Sequence, residues 1–170
     1  MLFRSAGNRD TVDAQLWFIR CVEELSVREP GLKELAALRR TCESIVRNYV
    51  VGTPNGIKVD PESGLVWSPS HFTWMDTNYP ACTPREGYAV EIQALWIAAL
   101  RFLGQDELAA RAADSVERLF RIDGGGYCDC LDAPAGVAAA QAKPDRAVRP
   151  NQLLLAAFGI CDARAVVRSA

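Results

Sequence analysis

Hydrophobic positions recur with helical spacing along the chain, in two alternating kinds of segment. Residues 10–26, 88–103 and 153–160 are apolar on nearly every side of a helix, whereas residues 30–51 and 106–122 combine an apolar stripe with charged positions. A helix without a polar face is typical of a buried helix, and an amphipathic helix faces water on one side. The order buried, amphipathic, buried, amphipathic, buried predicts helical hairpins in two layers. This is an all-α fold of the α/α toroid type rather than a four-helix bundle.

The connections between these helices alternate as well. The link from a buried helix to the next amphipathic helix is short, and the return links, 52–87 and 123–148, are long. Long connections in a compact domain are usually functional. In a two-layer ring they lie on one rim, around the first residues of the buried helices. Within the first long loop, residues 57–59 and 65–67 predict a small β-hairpin.

Composition narrows the classes of partner and chemistry. The chain has 170 residues, with 19 basic and 21 acidic side chains and no sustained basic stripe, so we expect no nucleic-acid partner. No apolar run approaches the ~18 residues of a membrane span, and the first residues lack the apolar core of a secretory signal, so we expect a cytoplasmic protein without a membrane partner. The single histidine, His71, and six cysteines without zinc-ribbon spacing predict no metal site.

Candidate chemistry lies in the first long loop, where residues 67–80 place aromatic side chains close to one carboxylate, Asp76. Aromatic faces stack on the C–H surfaces of sugars, and carboxylates bond sugar hydroxyls. A carboxyl group beside Trp74 can be desolvated, which raises its pKa and suits it to general acid catalysis. The alternative is a folded surface loop whose aromatic residues belong to the core.

Two further carboxylates lie at the starts of predicted buried helices. Asp13 and Trp17 are four residues apart and share a helix face, and Asp13 lies in the first turn, where the helix dipole favours a carboxylate. Glu91 is an isolated charge near the start of its apolar helix, so it needs a partner, and Arg85 and Arg149 are the candidates. The alternatives are that Asp13 only caps its helix and that Glu91 forms a structural ion pair.

Five blocks of the sequence, in order and in spacing, resemble the amylo-α-1,6-glucosidase family, the glucosidase region of glycogen debranching enzymes. The blocks are TVDAQLWFI at 11–19, HFTWMD at 71–76, TPREG at 83–87, VEIQALW at 90–96 and RPNQ at 149–152. The resemblance implies an (α/α)6 barrel of the six-hairpin glycosidase type, with its active site on one rim.

The resemblance also implies an activity, namely hydrolysis of α-1,6-glucosidic branch linkages in glycogen, limit dextrin or a related α-glucan. It places the general acid of an inverting mechanism at Asp76, with a second carboxylate ~6.5–9.5 Å away to activate water. No cofactor is implied. Seven further residues match motif positions and are implied to bind substrate or to support the site: Asp13, Trp17, Trp74, Arg85, Glu91, Arg149 and Asn151.

The number of predicted helices departs from the family's barrel, which has six inner and six outer helices against three and two here. We therefore expect residues 1–170 to form a single partial glucosidase domain, the N-terminal half of the barrel, with residues 1–9 flexible. Such a fragment is expected to be inactive alone, and a companion chain would supply the other half with the general base. The alternative is a non-catalytic helical domain that binds α-glucan, or an inert remnant.

Overall fold

The computed structural model describes residues 11–75 and 84–167, which contain six α-helices and five short strands. The expectation for residues 1–9 lies outside this part. None of the described helices is both long and apolar enough to cross a membrane. The helices are α1 (Asp13–Arg28), α2 (Leu35–Val51), α3 (Val90–Phe102), α4 (Asp106–Leu119), α5 (Leu153–Ala157) and α6 (Ala163–Val167). The strands are β1 (Lys58–Val59), β2 (Val66–Trp67), β3 (Gly87–Ala89), β4 (Cys130–Asp132) and β5 (Lys143–Asp145).

Helix α3 is the centre of the fold. Every residue from Val90 to Leu100 is buried, because α1, α4 and α5 all pack against it. The prediction of a helix buried on all sides is confirmed for this segment. The helix ends at Phe102, and after the cap residue Leu103 comes Gly104, with a positive φ of 73° that suits glycine.

Helices α2 and α4 confirm the prediction of amphipathic helices. Helix α2 buries Cys42, Val46 and Tyr49 on one stripe, and α4 buries a stripe that includes Ala112 and Val116. Their remaining faces carry charged side chains in solvent, so each helix covers the core from one side.

Two segments predicted to be buried on all sides are not, and the prediction is wrong for both. Helix α1 buries only Leu16, Ile19 and Val22, where it packs on α2 and α3, while Trp17 on another face is 42% exposed. Helix α5 has five residues, of which only Leu155 is buried. An apolar surface is buried only where another element covers it. Among the described residues, none covers these outer faces of α1 and α5.

The predicted hairpin is confirmed, with β1 and β2 antiparallel and Val59 opposite Val66. The side chain of Gln93 on α3 extends this hairpin. Its oxygen accepts from the Val66 amide at 2.8 Å, and its nitrogen donates to the Val66 carbonyl at 2.9 Å. One buried amide therefore makes the hydrogen bonds that a third strand would make.

A three-stranded antiparallel sheet, in the order β3-β4-β5, was not predicted from the sequence. Tyr88 pairs with Leu131 and Ala89 with Cys130, so the helix that was expected to begin at Tyr88 begins at Val90. The described residues are therefore about half helical with two small sheets, which is compatible with the predicted all-α domain, although only one of the two sheets was predicted.

The three helices α1, α3 and α5 begin at the same end of the molecule. The amide of Val12, next to α1, donates to the carbonyl of Phe72 at 2.8 Å, and the segment after Phe72 contacts residues before α3 and α5. At the opposite end of α3, Arg101 donates to the carbonyl of Phe158, which follows α5. These contacts make α3 and α5 run in the same direction, with the long connections meeting at their first residues.

Gly87, in β3, provides a test of the close packing between β3 and β4. Its φ is 136°, and a methyl group there would collide with the main-chain oxygen of Leu131 and lie 2.9 Å from the nitrogen of Ala133. We expect Gly87→Ala to lower the free energy of unfolding by at least about 3 kcal/mol, because strain and overpacking add. Urea denaturation measures the change.

Gly136→Ala is the matched control. Gly136 also has a positive φ, 84°, but no atom beyond its two chain neighbours lies within 4 Å of the added methyl group. Only the backbone strain remains, which costs about 1–2 kcal/mol. Equal losses in the two variants would contradict the packing that we describe at Gly87.

Candidate functional site

A buried ion pair between Arg85 and Glu91 lies where the first long loop meets α3. Arg85 donates from Nη1 to Oε2 of Glu91 at 3.0 Å and from Nη2 to Oε1 at 2.6 Å, and both side chains are almost fully buried. Glu91 occupies the first turn of α3, where the helix dipole also favours a negative charge. Because both carboxylate oxygens accept from one guanidinium group, the pair has the bidentate geometry that is strongest for arginine.

Asp129 joins this pair to a second arginine. Its Oδ2 accepts from Arg85 at 3.3 Å and from Arg149 at 2.9 Å, and its Oδ1 accepts from Asn151 at 2.8 Å. The main chain of Asp129 is held as well, since its carbonyl accepts from the Val90 amide and its amide donates to the Asp145 carbonyl. We call the six residues Arg85, Glu91, Asp129, Asp145, Arg149 and Asn151 the charge cluster.

Arg149 is the member of the charge cluster that combines a buried contact with solvent access. Besides Asp129, it donates to Asp145 at 2.7 Å, and its side chain is 26% exposed. It follows the second long loop directly and precedes a short 3₁₀ helix, Pro150–Gln152, that leads into α5. The guanidinium group is therefore held on one edge and faces water on another.

Segment 73–75 of the first long loop lies against the charge cluster. Arg85 donates through Nη2 to the hydroxyl of Thr73, and Nδ2 of Asn151 contacts the sulfur of Met75 at 2.9 Å. Between these two attached residues, the side chain of Trp74 is 55% exposed. The cluster thus holds both ends of a segment that presents an aromatic ring to solvent.

The electrostatics of the charge cluster follow from burial and pairing. Burial raises the pKa of Glu91 above its ordinary value, and the Arg85 guanidinium with its hydrogen bonds acts in the opposite direction. The hydrogen bond from Arg149 lowers the pKa of Asp145, against a smaller effect of burial. Three carboxylates share two guanidinium groups, so Asp129 is shared by both arginines rather than paired with one.

The structure brings together four of the residues selected from the sequence: Arg85, Glu91, Arg149 and Asn151. Of the two partners proposed for Glu91, Arg85 is confirmed. The other, Arg149, pairs with Asp129 and Asp145 instead.

Two other selected residues, Asp13 and Trp17, lie outside the charge cluster. Asp13 accepts a hydrogen bond from the Thr11 hydroxyl at 2.6 Å. It directly follows Val12, whose amide donates to the first long loop. Trp17, one turn further along α1, packs edge-on against Phe158 with ring centroids 6.3 Å apart, on an open groove. Asp76, the candidate general acid, lies outside the described residues.

Sequence reasoning missed Asp129, although a signal was present. A carboxylate between Cys128 and Cys130, in an apolar stretch, needs a buried partner just as Glu91 does. Both thiols are free and buried, and burial, with a contribution from Asp129, raises the pKa of Cys128 to about 12. Such a thiol is a poor nucleophile and metal ligand. Within residues 11–75 and 84–167, no group of three or more histidine, cysteine or carboxylate side chains could hold a metal ion.

The chain matches one family model over nearly its whole length. The model described as amylo-alpha-1,6-glucosidase covers residues 4–162. The chain belongs to the amylo-alpha-1,6-glucosidase family. No curated protein and no solved structure matched the chain in the same comparisons. The matched region contains the whole charge cluster and segment 73–75, so this amylo-alpha-1,6-glucosidase family domain includes the site described above.

The Arg85–Glu91 pair of this family domain can be tested by a double-mutant cycle. Arg85→Met alone should lower the free energy of unfolding by about 3–5 kcal/mol, because it leaves Glu91 buried without its counter-charge. Glu91→Gln should cost less, because Arg85 keeps Asp129 at 3.3 Å. The double variant should lose clearly less than the sum of the two, and urea denaturation of all four proteins measures the coupling.

Glu43→Gln supplies the control for that cycle. Glu43 pairs with Arg39 on the exposed face of α2 at 3.6 Å, and such surface pairs contribute 0–1 kcal/mol. Additive losses at Arg85 and Glu91, or a loss at Glu43 of the same size, would contradict the buried pairing.

The ion pair between Asp145 and Arg149 predicts that the stability of the fold depends on pH. Its folded-state pKa lies below the unfolded value of about 3.9, so its ion pair stabilises the protein above that pH and is lost as the pH falls through the folded-state pKa. The difference in unfolding free energy between the wild type and Asp145→Asn should stay constant from about pH 7 to pH 5 and shrink below about pH 4. Urea denaturation at a series of pH values measures it, and a difference that persists undiminished at about pH 3 would contradict the pairing.

Proposed function

We propose that this domain acts in the hydrolysis of α-1,6-glucosidic branch linkages in glycogen or a related α-glucan, in the cytoplasm and without a cofactor. The observation that carries the proposal is the family match over residues 4–162, which includes a buried charge cluster directly beside an exposed tryptophan. Hydrolysis of a glycosidic bond requires a proton donor, a base and water, and sugar binding requires aromatic faces and polar groups at a rim.

The residues of the site take different roles in this proposal. Asp76, which follows segment 73–75 directly, protonates the leaving oxygen as general acid. Trp74 stacks on a sugar ring, since its side chain is exposed, and Arg149 donates to sugar hydroxyls from its solvent-facing edge. Arg85 and Asn151 are largely buried and bonded inward, so they support the segment that carries these groups.

Glu91 belongs to the same supporting set. Both of its oxygens accept from Arg85, and almost none of its surface is exposed, so it has no free oxygen to activate a water molecule. Asp13 and Trp17 lie one turn apart at the start of α1, and we assign them to the residues that bind substrate or support the site. The general base of the inverting mechanism is then a carboxylate outside this set.

The helices support a partial (α/α)6 toroid as the architecture of this domain. Helices α1, α3 and α5 form the inner layer and α2 and α4 the outer layer, with the long connections at the rim where the charge cluster lies. In this proposal a companion chain, or a further segment, supplies the other half of the toroid with the general base. It would also cover the apolar faces of α1 and α5.

A non-catalytic α-glucan-binding domain is the second candidate function. The observation that favours it is the exposure of Trp74 and Trp17, because exposed aromatic side chains can bind sugars without any hydrolysis. Both candidates predict binding of a branched limit dextrin, and only the first predicts that glucose is released when the second half of the toroid is supplied.

Release of glucose from a branched limit dextrin tests the proposal. The 170-residue chain alone should release a negligible amount, because in this proposal a companion chain or a further segment supplies the general base. Together with a polypeptide that supplies the other half of the toroid, it should release β-glucose, the inverted anomer, which NMR detects. Asp76→Asn should then lower the rate by a factor of about 10²–10⁴, because it keeps the shape of the side chain but cannot donate the proton.

Asp123→Asn is a suitable control, because Asp123 is fully exposed and outside the charge cluster. It should leave the rate unchanged. Release of glucose that is insensitive to Asp76→Asn would contradict the proposed acid. Binding without any release in the presence of the second half would favour the non-catalytic function.

A further inference from the structure

Asp129 is the residue of the charge cluster that touches both side chains holding segment 73–75. Arg85 donates to Asp129 and to Thr73, and Asn151 donates to Asp129 and to Met75. The two ends of the segment are therefore tied, through two different donors, to one carboxylate.

The carboxylate of Asp129 has little freedom to move. Its side chain is fully buried, and donors from three parts of the chain approach its two oxygens at 2.8–3.3 Å. Its main-chain amide and carbonyl are bonded to β5 and to the first residue of α3. A group fixed both through its backbone and through its side chain can set the position of the residues that bond to it.

We propose that Asp129 is a positioning residue that, through Arg85 and Asn151, fixes segment 73–75 and with it the exposed ring of Trp74 at the sugar-binding rim. The inference rests on the proposed function for its ligand, an α-1,6-linked glucose unit. Asp129 does not touch the sugar, because it is buried beneath the segment, and acts only through its two donors.

An amide at position 129 cannot replace the carboxylate, although it has the same shape. Asp129 accepts at both oxygens, whereas the nitrogen of an asparagine would face either two guanidinium groups or Nδ2 of Asn151. Rotation of the Asn151 amide would relieve the clash, but its oxygen would then face the sulfur of Met75, which is also an acceptor. Segment 73–75 should therefore shift in Asp129→Asn.

The same substitution leaves the charges of the cluster balanced. Arg85 keeps Glu91, and Arg149 keeps Asp145, so no buried guanidinium loses its last carboxylate. We therefore expect Asp129→Asn to fold, with a melting temperature below that of the wild type because buried donors lose their acceptor.

Met75 supplies a local spectroscopic signal for this shift. The chain contains two methionines, Met1 and Met75, so protein labelled with ¹³C-methyl methionine gives two methyl resonances. Asp129→Asn should move or broaden the Met75 resonance, and Asn151→Ala should do the same. The double variant should add little to either single change, because both act through one hydrogen bond.

Asp132→Asn is the matched control. It removes the same charge three residues away, from an exposed position on β4 outside the charge cluster. It should leave the Met75 resonance where it is in the wild type. A Met75 resonance that is the same in Asp129→Asn and Asp132→Asn, or one that fails to move in Asn151→Ala, would overturn the proposal.

Titration with isomaltose, the simplest α-1,6-linked glucose disaccharide, links the position of the segment to binding. Asp129→Asn should weaken the affinity about tenfold, and Asp132→Asn should not change it. A shifted Met75 with unchanged affinity would overturn the role of Asp129 at the sugar-binding rim. If the wild type binds neither isomaltose nor limit dextrin, the proposed function fails, whereas the Met75 resonance still decides whether Asp129 positions the segment.

Discussion

The burial of Arg85 against Glu91 is the constraint on which the rest of this structure depends. Moving each of these charges out of water costs several kcal/mol, and only close, well-oriented partners offset that cost. Arg85 pairs with Glu91 and also contacts Asp129 and Thr73. These partners come from the start of α3 and from both long connections, so the chain can bury the ion pair only when the two connections and α3 have come together.

Sequence reasoning was most successful where one local pattern decides the structure. Helix α3 is apolar throughout and buried throughout, and α2 and α4 are amphipathic in both pattern and burial. It failed where burial depends on neighbours, because an apolar pattern on α1 cannot show whether another element covers Trp17. The β3-β4-β5 sheet was missed because its strands are three residues long and because β3 pairs with β4 across more than 40 positions of the chain.

For the candidate site as well, the sequence indicates which residues need a buried partner, but it does not show which distant segments pair. The isolated charge of Glu91 in an apolar helix signalled a buried partner, and Arg85 is that partner. The role of Asp129 depends on β4 lying beside β3, which no local pattern predicts. Its position between two cysteines instead drew attention to the thiols. The sequence thus identified individual charged residues such as Arg85 and Arg149. Asp129, which connects them, could be identified only from the structure.

The Gln93 side chain bonded to Val66 has a consequence for how this chain behaves among other chains. A strand with unpaired amides and carbonyls is a template on which another strand can add, and proteins that leave such edges open aggregate. Gln93 occupies both backbone groups of Val66, and Ser68, two residues further along the chain, exchanges two hydrogen bonds with Gly87. One side of the small hairpin is therefore closed by α3 and β3, and intermolecular strand addition along that side would first have to displace a buried amide.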